Sequence, residues 1–231
     1  MTKKPKKTKA GLLAAMLPHV AFEGWSDSSF AAAASDVKLS IEDARALCPR
    51  GAIDLAVAFH RDGDAAMVER LGSADLSEMR FRDKVATALR YRVEAMTDKE
   101  AVRRASTLFA LPLHVPEGAR LIWETSDHVW TALGDTSRDG NWYSKRATLA
   151  GVWAATVLFW LGDNSPDQSE TMAFIDRRID DVMKIEKLKA DLRKNPLTKP
   201  LMSLQSAMFE RIKAPNPAAM DDLPGRWPGP P

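Results

Sequence analysis

The sequence predicts an all-α protein, and three observations carry that prediction. Apolar residues recur at three- and four-residue steps along most of the chain, the period of a helix with one buried stripe. No alternating run of useful strand length interrupts that period. The stretch from Ala147 to Leu161 holds no charged residue and is apolar on every side, which predicts a central helix enclosed by other elements. Its 15 residues, rising about 1.5 Å each, reach roughly 22 Å, short of the roughly 30 Å hydrocarbon core that a transmembrane helix crosses.

The remaining elements follow in order. The first 10 residues hold Lys3, Lys4, Lys6, Lys7 and Lys9 and read as a disordered basic arm. Residues 11–72 form a module of short helices, Leu12 to Glu23, Ser28 to Asp36 and Ser40 to Leu47, followed by a longer one from Pro49 to Leu71. Gly24 ends the first helix. Ser28 and Ser40 are the expected N-caps of the next two, because a serine oxygen accepts from the free amides of a first helical turn. Short helix, tight turn and short helix is the layout of a helix-turn-helix unit.

Residues 73–194 form a second helical region. Met79, Val85, Leu89, Val93 and Met96 mark a helix within Ser77 to Met96. Further helices run from Lys99 to Leu111, where Pro112 breaks the pattern, and from Pro116 to Leu133. A polar, aromatic loop from Asp135 to Tyr143 leads into the central helix. Ser165 as N-cap with Pro166 at the first helical position starts the last helix of this region, which extends to about Lys194. Residues 195–213 supply a proline-bounded linker and a short amphipathic helix, and residues 214–231 a Pro- and Gly-rich disordered tail.

Composition bounds the function. With 45% hydrophobic and 28% charged residues the chain is an ordinary globular one, and a net charge of +2 does not announce a nucleic-acid partner. Between Gly11 and Leu71 there are nine acids and five bases. The segment where a recognition helix belongs opens Ser40, Ile41, Glu42, Asp43, which points carboxylates at phosphates. The single cysteine, Cys48, excludes an internal disulfide and fits a reducing compartment. Leu12 to Val20 is interrupted by Pro18 and His19, so no secretory signal is read there and the expected location is the cytoplasm.

Catalytic and metal signatures fail in turn. Glu124 and His128 stand four apart, not the three of the di-iron Glu-x-x-His pattern. His19, His60, His114 and His128 show no ligand spacing, and there is no phosphate loop or nucleophile elbow. The expectation is no enzyme activity, no metal and no cofactor.

The aromatic residues are more informative. Trp123, Trp130, Trp153, Phe159 and Trp160, with Leu149, lie on two successive helices; they read either as ordinary core or as the wall of one cavity for a long apolar ligand. Trp142, Tyr143 and Arg146, with Asp139 and Asn141, combine residue types enriched in binding hot spots at a helix start. Near the C-terminus Leu201, Leu204, Met208 and Ile212 make one apolar face, widened by Met202 and Phe209, that suits a membrane interface, a hydrophobic groove or a partner subunit.

Asp127 with Trp130, then Gly134 to Arg146 in the order G-D-x-S-x-D-x-N-W-Y-x-x-R, then Ser165 to Asp167, resembles the coenzyme Q biosynthesis auxiliary family. These are lipid-binding partners of the di-iron demethoxyubiquinone hydroxylase. The likeness spans roughly Leu12 to Lys194, and the N-terminal module also resembles that of tetracycline-repressor-type regulators. The resemblance implies a tetracycline-repressor-like helical bundle: a helix-turn-helix-like module followed by a C-terminal ligand-binding-type domain. It further implies a homodimer without catalytic activity that holds an isoprenoid quinone precursor or phospholipid and docks on the hydroxylase through the aromatics matching Trp142 and Tyr143. By position, the family's membrane-engaging amphipathic helix corresponds to Leu201 to Lys213, and a bacterial form would sit in the cytoplasm against the inner membrane. Two rivals differ in class. One is a ligand-responsive transcriptional regulator, which the acidic Ser40 to Leu47 segment opposes. The other is a scaffold without ligand.

Overall fold

The computed structural model describes residues 7–194, and among them every regular element is helical. The helices are α1 (Lys9–Glu23), α2 (Asp27–Asp36), α3 (Ile41–Leu47), α4 (Ala52–Ser73), α5 (Phe81–Glu94), α6 (Lys99–Ala110), α7 (Val115–Ala132), α8 (Gly140–Gly162) and α9 (Ser169–Lys194), with a 3-10 turn at Pro166–Gln168. The expected amphipathic face from Leu201 to Ile212 lies outside the described residues.

Local chemistry sets the boundaries. Gly24 takes φ 70° at the end of α1, a left-handed value that suits glycine. Ser40 caps α3 by accepting from the Asp43 amide at 3.1 Å, as the sequence predicts. For α2 the cap is Ser26, not Ser28: its hydroxyl accepts from the Ser29 amide, and Ser28 sits inside the first turn. The fourth helix starts at Ala52 behind Gly51 at φ 61°, later than Pro49, and α5 starts at Phe81, later than Ser77.

The start of α9 also differs from the expectation. Pro166 opens a 3-10 turn, Asp167 and Gln168 adopt φ 52° and 57°, and α9 proper begins at Ser169. Ser165 still caps this helix, its hydroxyl accepting from the Glu170 amide at 3.0 Å, and the buried Asp163 adds a second cap: its carboxylate accepts from the Ser165 and Thr171 amides, each at 2.8 Å, and from the Thr171 hydroxyl at 2.5 Å. Burial opposes its charge, but these hydrogen bonds hold its carboxyl below the usual range.

Two apolar cores share one long strut. The first joins α1, α2, α3 and the beginning of α4, through Leu12, Met16, Phe30 and Leu55, to Ala101 of α6. The second joins the end of α4, through Met67 and Leu71, to α5, α8 and α9, with Val129 of α7. Phe59 of α4 packs against both. Trp25 donates its indole N–H to the Ala101 carbonyl at 3.1 Å, and Arg61 clasps Glu124 through two 2.9 Å bonds, tying the first four helices to α6 and α7.

The central helix is longer and less enclosed than its sequence predicts. It begins at Gly140, so Asn141, Trp142 and Tyr143 lie in its first turn and not in a loop. Asp139 is the cap, accepting from the Asn141 amide at 3.0 Å. Trp153 and Trp160 are buried inward, whereas Leu158 is 67% exposed on the opposite side. An all-apolar helix need not be covered all round when part of its surface borders a cavity.

Candidate functional site

Between α4, α5, α6, α7 and α8 lies a cavity of about 380 Å³. Phe59, His60 and Gly63 come from α4, Arg92 from α5 with Ala95 and Met96 just beyond it, and Val102, Ala105, Ser106, Phe109 and Ala110 from α6. Val115, Gly118, Ala119, Leu121 and Ile122 of α7 and Trp153, Ala154, Val157 and Leu158 of α8 complete the wall. Its exposed lining residues, Ala110, Val115, Ala119 and Leu158, place the opening between the end of α6, the start of α7 and the last part of α8. Leu111 and Leu113, also exposed, follow α6 immediately before α7.

Two helical glycines shape this space. At Gly118 a Cβ would come within 2.8 Å of Phe109 Cβ, so the missing side chain lets α7 press against α6. At Gly63 a Cβ would come within 2.5 Å of an Arg92 guanidinium nitrogen. Glycine costs a helix interior roughly 1 kcal/mol relative to alanine. Here it makes room for a buried cation.

That cation anchors the polar inner wall. Arg92 is 3% exposed; its Nε donates to Asp64 at 2.6 Å and an Nη to the His60 carbonyl at 3.0 Å. The Thr125 hydroxyl donates to Asp64 at 2.9 Å and lies 2.9 Å from His60 Nε2, which therefore carries the proton. From α7, His128 Nδ1 approaches the same carboxylate at 3.4 Å. Burial and then the Arg92 charge push His60 down to about 4, so the imidazole is neutral at neutral pH. Contact with Asp64 raises His128, and the surrounding donors and cations hold Asp64 low against its burial. A histidine, a carboxylate and an arginine thus converge here; His60 and Asp64 stand four apart on α4, whereas Arg92 joins them from a distant helix. Among the described residues no cluster has the makings of a metal site.

Of the six residues expected to share a lipid cavity, Trp153 alone lines it. Trp160 turns to the end of α8 and donates to Gln168 at 2.8 Å. Phe159 stacks on Phe174 of α9 at 4.3 Å. Trp130 stacks on Phe81 at 5.6 Å and donates to the Lys145 carbonyl, Leu149 belongs to the second core, and Trp123 turns toward Trp142. Aromatic content placed these side chains on the right two helices; helical phase points them along different faces.

The residues expected at a partner face do come together. Trp142 and Tyr143 meet edge to face at 4.7 Å, and Trp123 lies 5.8 Å and 6.3 Å from them. Beneath them Arg146 is 2% exposed. Its guanidinium carbon sits 4.0 Å from the Trp142 ring centre, with Asp127 at 2.5 Å and Asp135 at 3.0 Å. Burial would raise Asp135, but hydrogen bonds from Lys145, Ser137 and Arg146 bring it down to about 2. Arg146 therefore positions the aromatic pair from below, while Asp139 caps the helix that carries it and accepts from the Asn141 side-chain amide at 2.9 Å.

The architecture defines an all-α protein with the tetracycline-repressor-like fold. A TetR transcriptional regulator from Nitrosomonas europaea has the same fold, with a TM-score of 0.62 over 74% of this chain and 95% of that one, at 17% identity. Residues 115–186 match the COQ9 family model. That span holds α7, α8, their share of the cavity wall and the whole aromatic face. The chain is 32% identical over 183 residues to the mitochondrial ubiquinone biosynthesis protein COQ9 of Rattus norvegicus, covering 74% of this chain and 57% of that protein. With the probable counterpart of Dictyostelium discoideum it shares 28% over 193 residues, 80% of this chain and 62% of the relative. The chain thus spans somewhat more than half the length of these relatives. The coenzyme Q auxiliary family to which the D-x-x-W and N-W-Y motifs pointed is the family that matches.

Among the described residues no helix is long and apolar enough to cross a membrane.

Proposed function

We propose that this chain is a non-catalytic accessory protein of ubiquinone biosynthesis that holds a polyprenylated quinone precursor and presents it to the demethoxyubiquinone hydroxylase. One observation carries the reading: a mostly apolar cavity of about 380 Å³ takes the α7 and α8 part of its wall from the span that matches COQ9. The volume falls in the range of roughly 300–1,000 Å³ typical of small-ligand sites. It suits a ring and the first isoprene units, with the rest of the tail leaving past Leu158. Each methylene withdrawn from water is worth about 0.8 kcal/mol, so an apolar slot lowers the barrier to taking such a molecule from a bilayer. The aromatic cluster of Trp123, Trp142 and Tyr143 is the surface offered to the enzyme. Peripheral contact with the inner membrane, through the face from Leu201 to Ile212, and homodimerisation belong to the same proposal.

A repressor-type regulator is the competing reading. Against it, α3 exposes Glu42 and Asp43, Arg45 is paired with Asp27, and Arg50 with Asp54 and Glu117. The bases a duplex would need are already neutralised by the protein's own acids.

Native mass spectrometry of the full chain, alone and with the hydroxylase, tests the proposal. The expected spectrum contains a dimer carrying a prenylated-quinone mass and a complex with the enzyme. A chain free of lipid that forms no complex contradicts it.

A further inference from the structure

Trp153 is 1% exposed, and its indole Nε1–H has no hydrogen-bond partner among the described residues. A buried N–H without an acceptor costs about 1–3 kcal/mol, so a native fold seldom leaves one unless something else supplies the acceptor. Trp153 is also a wall of the cavity. The neighbouring polar groups of that wall are otherwise engaged. His60 Nε2 faces Thr125, Arg92 donates to Asp64 and to the His60 carbonyl, and the Ser106 hydroxyl donates to the Val102 carbonyl. The Arg92 guanidinium carbon lies 5.1 Å from the Trp153 ring centre, so the indole that carries the unpaired donor borders the buried Arg92–Asp64 ion pair.

Charge narrows the ligand. Asp64 neutralises Arg92 and His60 is uncharged, so this end of the cavity offers a donor without a net positive field. Such a site favours the carbonyl or hydroxyl oxygen of a neutral ring over a phosphate, which would bring uncompensated negative charge into the interior.

We infer that the Trp153 indole N–H is the head-group donor of the cavity, binding an acceptor oxygen of a prenylated ring beside Arg92 while the tail runs outward along Val157 and Leu158. This rests on the cavity's being the lipid site proposed above. It adds a polar inner end and a direction to the bound molecule.

The test uses the full chain, three probes and the Trp153→Phe variant, which keeps an aromatic ring and removes the N–H. Calorimetry measures binding of a singly prenylated benzoquinone, a short-chain phosphatidylcholine and a prenyl hydrocarbon of matched length. Wild type is expected to bind the quinone more tightly than the hydrocarbon. The variant should lose roughly three- to tenfold in quinone affinity, with the hydrocarbon unchanged. A loss confined to the phospholipid, or equal quinone affinity in both proteins, overturns the inference while leaving the cavity as a lipid site. Failure of wild type to bind any probe overturns both readings. Should the variant not fold, nitrogen-15 indole spectra of wild type decide: one of the seven tryptophan N–H signals should shift downfield with quinone and not with hydrocarbon, and no such shift refutes the assignment.

Discussion

Arg146 lies buried directly under Trp142, its guanidinium carbon 4.0 Å from the indole centre, and bridges Asp127 and Asp135 from that position. The two residues are four apart on α8, so one helical turn joins a surface aromatic to a buried cation. Their substitutions should separate. Removing one member of a buried ion pair costs roughly 3–5 kcal/mol where the partner is left alone; here Asp135 keeps Lys145 and Ser137 but loses the guanidinium that also holds Asp127. Arg146→Ala is therefore expected to lower the melting temperature sharply. Trp142→Ala, on a half-buried ring, should keep the fold and weaken co-purification with the hydroxylase. Thermal denaturation and pull-down of both variants check this; equal stability of the two contradicts it.

Gly63 and Gly151 predict opposite signs for one chemical change. Glycine to alanine inside a helix ordinarily stabilises by about 1 kcal/mol, and at Gly151 nothing lies within 4 Å of the added methyl. At Gly63 the same methyl meets the Arg92 guanidinium at 2.5 Å. Gly151→Ala should raise the denaturation midpoint, whereas Gly63→Ala should lower stability by about 1–3 kcal/mol, as overpacking does. Urea titration of the pair reads both signs.

These two glycines also mark where the sequence was legible and where it was not. Short-range chemistry reads well: the Ser40 cap, the Gly24 stop and the motif that places Trp142 and Tyr143 all depend on neighbours within a turn. The cavity depends on contacts across distant segments. Asp64 and Arg92 are 28 residues apart, and Phe109 meets Gly118 across the turn between two helices. A weak signal existed: glycine in a helix interior costs stability and so can mark a close approach, and Arg92 sits between the core positions Leu89 and Val93. The tryptophans drew attention to α7 and α8 because aromatic residues are conspicuous, but the phase of each side chain around its helix follows from packing partners on α5 and α9.

Acid should weaken the fold in a defined window through His60. Its value is lowered from 6.5 to about 4, so below the unfolded value the unfolded chain binds the proton more readily. Stability is thus lost as the pH falls from about 6.5 to about 4, by on the order of 3 kcal/mol for this group. His128 works in the other direction, since its raised value gives stability present at low pH and lost as the pH climbs through that value. Denaturant midpoints measured against pH should fall on acidification in wild type and flatten in His60→Gln. An unchanged slope in the variant contradicts the assignment.

Asp135 titrates separately. Its carboxyl is held at about 2, below the ordinary 3.8, so its contribution is present above that ordinary value and disappears as the pH drops toward 2. Lys145→Met removes one of its donors and should narrow this lower window without altering the one set by His60. Carboxyl chemical shifts followed through an acid titration distinguish the two.

The space between α4 and α8 is the proposed lipid site, and ubiquinone content in cells tests that assignment most directly. Ala154→Trp places a ring in the cavity wall on α8, away from the aromatic face. In cells whose only copy is this variant, produced at normal level and folded, the account predicts that demethoxyubiquinone accumulates and ubiquinone falls severalfold. Normal ubiquinone in those cells would contradict it.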